Sequence, residues 1–193
     1  FGSTSLNLTS SAYANIGNPS YLQNTLSFTV EAWVNVNSLT GTQSIVSKHS
    51  NNDTGAFMLY LDNGFPSTYY RTAPYFLNST EAITTDTWHH IATSYDSSKN
   101  QLTLYVDGVQ KAQGTFNFKP VSSSVDDILI GADGGDTPTS FLQGMIGRVE
   151  IWSSCRTLDE IVADSVQIQD PSAEAFLEVH FDFSNLPVID QSG

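Results

Sequence analysis

The sequence predicts an all-β fold, two antiparallel sheets packed as a sandwich with one short helix near residues 158–166, and three observations carry that expectation. Segments rich in β-branched and aromatic residues recur at Ser27 to Val36, Ala56 to Gly64, Trp88 to Asp96, Leu102 to Gly108 and Ile146 to Trp152. Asn63-Gly64 and Asp107-Gly108 end two of them and supply the positive-φ positions that tight hairpins need. Charged residues make up only 14% of the chain, below the ~25% of a typical soluble domain, so Ser, Thr and Asn carry the polarity of a loop-rich, many-stranded protein. With 193 residues, a single domain spanning 1–193 and burying a sizeable core is expected.

Taken in order, the elements begin with short strands in Ser5 to Leu8 and Ala12 to Ile16. Phe28, Val30, Ala32, Val34 and Val36 then alternate with Thr29, Glu31, Trp33 and Asn35; the apolar set must face the core, which turns Glu31 and Trp33 outward. The passage from Phe65 to Phe76 holds Pro66, Tyr69, Tyr70, Arg71, Pro74 and Tyr75, and reads as an irregular strand with a long connection because proline removes ladder donors. Asp127 to Ile130 is strand-like and runs into a glycine-rich loop, Gly131 to Thr139. Beyond it, Met145, Gly147, Val149 and Ile151 share one face, and Ile146, Arg148, Glu150 and Trp152 the other. Thr157 and Glu160 form a capping box for the helix, with Leu158, Ile161 and Val162 on one stripe, so the helix is expected to cover a sheet edge or the sandwich's open end. A terminal strand with Leu177, Val179, Phe181 and Phe183 on its apolar face closes the series and is expected to pair near the N-terminal strands.

The WHH segment at Trp88, the YVDG hairpin at Tyr105 and the RVEIW strand at Arg148, followed by a short helix, together resemble the laminin-G-like jelly roll of the concanavalin A-like lectin/glucanase superfamily, to which pentraxins and legume lectins also belong. The resemblance runs from about Ser5 to the C-terminus and implies a jelly-roll sandwich. It does not by itself imply one activity, since the scaffold carries lectins, hydrolases and adhesion modules alike.

Twenty acidic against seven basic residues give a net charge of −13, a negative surface that repels phosphate backbones and anionic lipid, so nucleic acid is not an expected partner. No apolar stretch reaches membrane-spanning length. Cys155 is the only cysteine, which rules out an internal disulfide and a cysteine zinc site and leaves a small buried thiol as the expected role. A chain beginning at Phe1 fits a processed protein or an excised module.

Four groups of residues are candidates for chemistry. Tyr69, Tyr70, Arg71 and Tyr75 combine stacking rings with a planar donor fork, suited to polyols or acidic sugars; alternatively the rings fill a mini-core of their own loop. Glu31-x-Trp33 and Glu150-x-Trp152 would form a glycan platform if their strands share a sheet, or buried framework if loops cover them. Glu178-x-His180-x-Asp182 puts a histidine between carboxylates, a metal or acid/base arrangement that simple alternation on a polar strand face also produces. His89 and His90 point to opposite faces and are expected to be structural. For a metal, calcium suits the oxygen donors Asp133 and Asp136 in the glycine-rich loop, with Asp126, Asp127, Asp62 and Asn63 nearby in sequence or in a turn. Pentraxin-like relatives carry calcium after an Ile-Leu-x-Gly strand, and Ile128-Leu129-Ile130-Gly131 with Asp133 resembles that position, although Gly134-Gly135 and Ser140 depart from the relatives' ligand run.

The glucanase branch would require a Glu-x-Asp-x-Glu run, which this chain lacks. The sequence therefore points to a non-catalytic extracellular carbohydrate-binding module, calcium-dependent if the loop carboxylates converge, with a glycan or glycoprotein as partner. A protein-binding adhesion domain with a protein receptor is the alternative, and a glycoside hydrolase or lyase the third reading.

Overall fold

The computed structural model describes residues 5–8, 11–20, 26–48, 57–70, 76–116, 126–134, 137–166 and 171–183. Their strands are β1 (Leu6–Leu8), β2 (Ala14–Asn15), β3 (Phe28–Val36), β4 (Thr42–Lys48), β5 (Phe57–Asp62), β6 (Phe65–Tyr70), β7 (Phe76–Asn78), β8 (His89–Asp96), β9 (Gln101–Val106), β10 (Val109–Thr115), β11 (Leu129–Ile130), β12 (Gly144–Trp152) and β13 (Leu177–Asp182), with helix α1 at Leu158–Val166. The larger sheet runs β1-β12-β3-β8-β9-β10, and β13 also pairs with β12; the smaller runs β2-β11-β4-β5-β6-β7. Every pairing is antiparallel. This is the expected two-sheet jelly-roll sandwich. No helix among the described residues is long and apolar enough to cross a membrane.

The core lies between the inner faces. Val30, Ala32, Val34 and Val36 of β3 are fully buried and belong to one cluster with Ile45, Leu59, Leu61, Ile91, Leu104 and Val149 from both sheets, as the alternation in β3 requires. The terminal strand closes the fold as expected: β13 and β1 lie end to end along the same edge of β12, Asp182 opposite Arg148 and Leu6 opposite Ile146.

Two local readings change, and one strand that the sequence did not signal is present. A bulge falls between Ile146 and Arg148, so Ile146 joins Val149 and Ile151 in the core, and Met145 does not share their face. The extra residue, Gly147, shifts the phase of the strand by one. A second bulge in β4 puts Ile45 and Val46 both inward, erasing the period-2 signal that would have marked that strand in the sequence. The Phe65 segment, expected to be irregular, is a regular strand that pairs on both sides. Pro66 is tolerated because its carbonyl accepts from Ser79 N–H at 2.8 Å, which places its nitrogen on the same side, past the end of the β7 ladder where no donor is needed.

Helix α1 begins with the expected capping box: Thr157 N–H donates to Glu160 Oε2 at 2.7 Å, and Glu160 N–H returns a bond to Thr157 Oγ1 at 3.4 Å. It lies across the outer face of the larger sheet instead of capping an edge. Ile161 packs against Ala92 of β8 and Tyr105 of β9, while Leu158 and Val162, expected on the same stripe, are exposed.

Candidate functional site

The outer faces of the two sheets differ in what covers them. On the smaller sheet, register sets one outward row through Leu129, Ser47, Met58, Tyr69 and Phe76, and a second through Ser44, Tyr60, Ser67 and Asn78. Ser44, Ser47, Ser67 and Met58 form a buried floor, from which Tyr60 and Tyr69 rise half-buried, with Phe76 exposed at the far end of its row. The two tyrosine rings meet edge to face, centroids 5.9 Å apart at 62°. Ser44 Oγ, fully buried beside Tyr60, makes no hydrogen bond among the described residues.

The loop after β11 folds onto this face. Gly131 starts it at φ +85°, and a Cβ there would stand 2.3 Å from Leu8 Cδ1, so both conformation and space demand glycine. Ser47 Oγ donates to the Ala132 carbonyl at 2.8 Å, and Asp133 and Thr139 exchange backbone hydrogen bonds of 2.8 and 3.1 Å, which pins Asp133 beside the Tyr69 row. Asp62 comes up on the same face from the end of β5, two residues after Tyr60. Burial raises the Tyr69 phenol pKa, and the charge of Asp133 and then Tyr60 add to it. Tyr60 is raised by burial and then by Asp62, opposed by a hydrogen bond with Ser67. Both phenols therefore stay O–H donors at neutral pH, and the face offers two rings, two hydroxyl donors and two carboxylates.

Thus Tyr69, Asp62 and Asp133, anticipated as parts of separate sugar and metal sites, come together on one surface. Tyr70 does not join them: adjacent strand residues face opposite ways, and Tyr70 is 1% exposed in the core, stacked with Tyr95 at 5.3 Å and tilted against Phe28 at 5.0 Å. Asn63 serves the β5–β6 turn at φ 49°, its Oδ1 accepting from Gly41 N–H at 3.1 Å and its Nδ2 donating to Asp62 Oδ1 at 2.9 Å. Arg71, Tyr75 and Asp136 lie outside the described residues. Among those described, no group of three or more His, Cys, Asp or Glu side chains gathers to hold a metal ion; Asp133 and Asp62 bring one carboxylate each, well short of a calcium shell. Tyr60 was missed in the sequence, although its alternation with Leu59 and Leu61 put it on the face of Asp62.

On the larger sheet, the anticipated Glu31/Trp33 platform is not a surface. Glu31, Glu150 and Trp152 are fully buried, and Trp33 is half-buried with its Nε1 donating to Ser165 O at 3.0 Å on α1, so the helix and the segment leading into it cover this face. Trp152 Nε1 donates to Glu31 Oε1 at 2.6 Å, and Glu31 Oε2 stands 3.3 Å from His90 Nε2. Burial, with Asp164 adding to it, pushes the Glu31 pKa up to about 8, while burial presses His90 down to about 4. Both are uncharged at pH 7, and protonation gives Oε2 the hydrogen its contact with Nε2 needs. Glu150, opposite Glu31, is also raised by burial, and faces Arg148 Nε at 2.7 Å and His180 Nδ1 at 3.3 Å. His180 is thus drawn into this buried cluster, while its neighbour Glu178 accepts from Ser153 Oγ at 2.5 Å. Arg156 lies over the Trp152 ring at 3.8 Å and grips Asp164 with two bonds of 2.8 Å, locking α1 down. His89 is structural as expected, its Nδ1 2.8 Å from Asp107 Oδ2 and its Nε2 accepting from Thr84 N–H. Cys155 is half-buried, and burial chiefly raises its pKa away from the reactive thiolate.

Two antiparallel sheets, with a helix laid over the outer face of the larger, define a jelly-roll sandwich. The chain belongs to the concanavalin A-like lectin/glucanases superfamily, whose family model matches residues 8–162. Among solved structures, it is similar to a candidate carbohydrate binding protein from Bacteroides ovatus, at 19% identity and TM-score 0.77, covering 94% of this chain and 52% of that one. The chain thus spans about half the length of that protein. A Ruminococcus gnavus sialidase carbohydrate-binding module bound to α2,3 sialyllactose aligns at 17% identity and TM-score 0.73 over 83% of this chain and 95% of that one. Domain 4 of an extracellular arabinanase from Geobacillus stearothermophilus, in complex with arabinotriose, aligns at 21% identity and TM-score 0.61 over 80% and 81%. No curated protein sequence matches this chain.

Proposed function

We propose that this domain is a non-catalytic, extracellular carbohydrate-binding module whose ligand lies on the outer face of the smaller sheet. The observation that carries the reading is the edge-to-face pair of Tyr60 and Tyr69, half-exposed above a buried serine floor and flanked by two carboxylates. Rings set at an angle offer C–H faces of a sugar a place to stack, while phenol donors and carboxylate acceptors meet its hydroxyls. The sugar-binding descriptions of the neighbours support the same reading. The glutamates Glu31 and Glu150, opposite each other on β3 and β12, are fully buried beneath α1 and closed off from a polysaccharide, which favours binding over hydrolysis.

A glycan array probed with the wild-type domain and with Tyr69→Ala tests the proposal: selective hits lost in the variant support it, and a blank array in both calcium and chelator sinks it. Calcium dependence rests on Asp133 and belongs to the same proposal. Melting with calcium and then with excess chelator should differ by several degrees if an ion is held, and identical curves remove calcium from the account.

A protein receptor is the second reading, and a specific feature favours it. Leu158, Val162 and Val166 form an exposed apolar stripe on α1, 42%, 43% and 80% accessible, on the side away from the tyrosines.

A further inference from the structure

We propose that Asn78 is an N-glycosylation site whose first N-acetylglucosamine stacks on the ring of Phe76. Three Asn-x-Ser/Thr triplets occur in the sequence, at Asn7, Asn52 and Asn78. Only the third has an aromatic residue two positions ahead of its asparagine: Phe76-Leu77-Asn78-Ser79-Thr80, against Ser5 before Asn7 and Ser50 before Asn52. Asn52 lies outside the described residues.

The fold gives that spacing a physical meaning. Phe76 and Asn78 both belong to β7, and residues two apart on a strand point to the same side, about 7 Å from one another. Both are exposed, Phe76 at 48%, while Leu77 between them packs against the core. Register puts Asn78 opposite Ser67 and Phe76 opposite Tyr69, so the pair stands on the outer face of the smaller sheet. Among the described residues β7 ends the order of that sheet, which puts the attachment point at its border. The strand stops at Asn78, and Ser79 ties the turn that follows: its Oγ donates to Glu81 O at 2.9 Å and accepts from Glu81 N–H at 3.1 Å. A bulky modification needs an acceptor side chain at the surface, and Asn78 supplies one.

In the transfer, Asn78 Nδ2 bonds to C1 of an oligosaccharide carried on a lipid diphosphate; the C1–O bond to the diphosphate breaks, the lipid diphosphate leaves and Nδ2 gives up one proton. The extracellular placement proposed above, on which this rests, takes the chain through the compartment where the transfer occurs. The C–H face of the attached sugar then covers a ring that is otherwise half in water, and the glycan shields a border strand from pairing with another chain.

The test uses the full chain carrying Asn7→Gln and Asn52→Gln, secreted from a eukaryotic host and, in parallel, made in a bacterial host that attaches no N-glycan. Peptide mapping by mass spectrometry should find Asn78 occupied in the secreted protein, and Thr80→Ala should abolish the modification; a secreted chain with Asn78 bare overturns the proposal. For the stacking, the secreted protein is trimmed enzymatically to one N-acetylglucosamine and melted beside the bacterial form. The trimmed protein should melt about 2 °C or more higher, and Phe76→Ala should remove that gain. No gain, or an equal gain in Phe76→Ala, overturns the contact with the ring. A blank glycan array leaves occupancy of Asn78 standing, and a bare Asn78 leaves the ligand-binding reading of Tyr60 and Tyr69 standing.

Discussion

The outer faces of the two sheets are built from the same ingredients, aromatic rings alternating with carboxylates, yet one is a sealed interior and the other an accessible surface. On the larger sheet, Glu31, Glu150, Trp33 and Trp152 lie beneath α1. On the smaller one, among the described residues, the loop after β11 lies beside Tyr60, Tyr69, Asp62 and Asp133. Cover decides the chemistry. Under the helix, burial drives Glu31 to the protonated state at neutral pH, and Arg148 and Arg156 balance the remaining carboxylates. On the smaller sheet, Asp62 stays exposed to solvent.

Breaking the sealed side should have the largest effect. Arg148→Ala strips Glu150 of a contact at 2.7 Å in a fully buried site and also removes a bond from Arg148 Nη2 to the Asp164 carbonyl of α1. Removal of one partner of a buried pair costs about 3–5 kcal/mol, to be read from urea denaturation. If the variant unfolds at the wild-type midpoint, the cluster does not hold the helix.

Tyr70→Ala and Tyr69→Ala form the sharpest contrast, being neighbours on opposite faces. Tyr70→Ala should cost about 3–5 kcal/mol of stability by emptying an aromatic position in the core, whereas Tyr69→Ala should cost much less and reduce glycan affinity by about tenfold or more. Chemical denaturation and calorimetry on both variants separate the two effects; a Tyr69 variant that unfolds as readily as the Tyr70 variant would erase the distinction between the faces.

A pH titration sharpens the picture further. Because the folded pKa of Glu31 lies at about 8, above its ordinary value of 4.5, its contribution to stability is complete below pH 4.5 and is lost as pH rises through 8. Glutamine mimics the protonated acid, accepting from Trp152 and donating to His90. Glu31→Gln should therefore match the wild type near pH 5 and exceed it by several degrees in melting temperature near pH 8.5; parallel curves across that range would mean the carboxyl is ionised in the fold. His90, pressed down to about 4, works in the other direction, withdrawing stability as pH falls from 6.5 through 4. The smallest effect belongs to Thr157→Ala, which removes half of the capping box and should cost about 1 kcal/mol without touching glycan affinity.

Much of this comparison was legible in the sequence, and the losses have identifiable causes. The alternation of β3 fixed which residues face the core, and Thr157 with Glu160 fixed the start of α1. The bulges at Gly147 and Ile45 were not legible, because one inserted residue reverses the parity on which face assignment rests. Parity also explains the site: Tyr69 and Tyr70 could not both face a ligand, and knowing that β6 is regular through Pro66 selects Tyr69. The sealing of Glu31 and Trp33 depends on where α1 docks, a long-range placement that no local pattern encodes. The convergence of Asp133 with Tyr69 has the same origin, since it joins a loop after β11 to a strand more than sixty positions earlier.

The head-to-tail placement of β13 and β1 beside β12 has an architectural consequence. Both run antiparallel to β12, the last residue of β13 facing Arg148 and the first of β1 facing Ile146, so along that edge they stand only about two residues, roughly 7 Å, apart. A short bridge would splice them into one uninterrupted border. New ends could then be opened at the Asp107-Gly108 hairpin, and the same adjacency lets the domain be carried as an insert within a host polypeptide without prying the host apart.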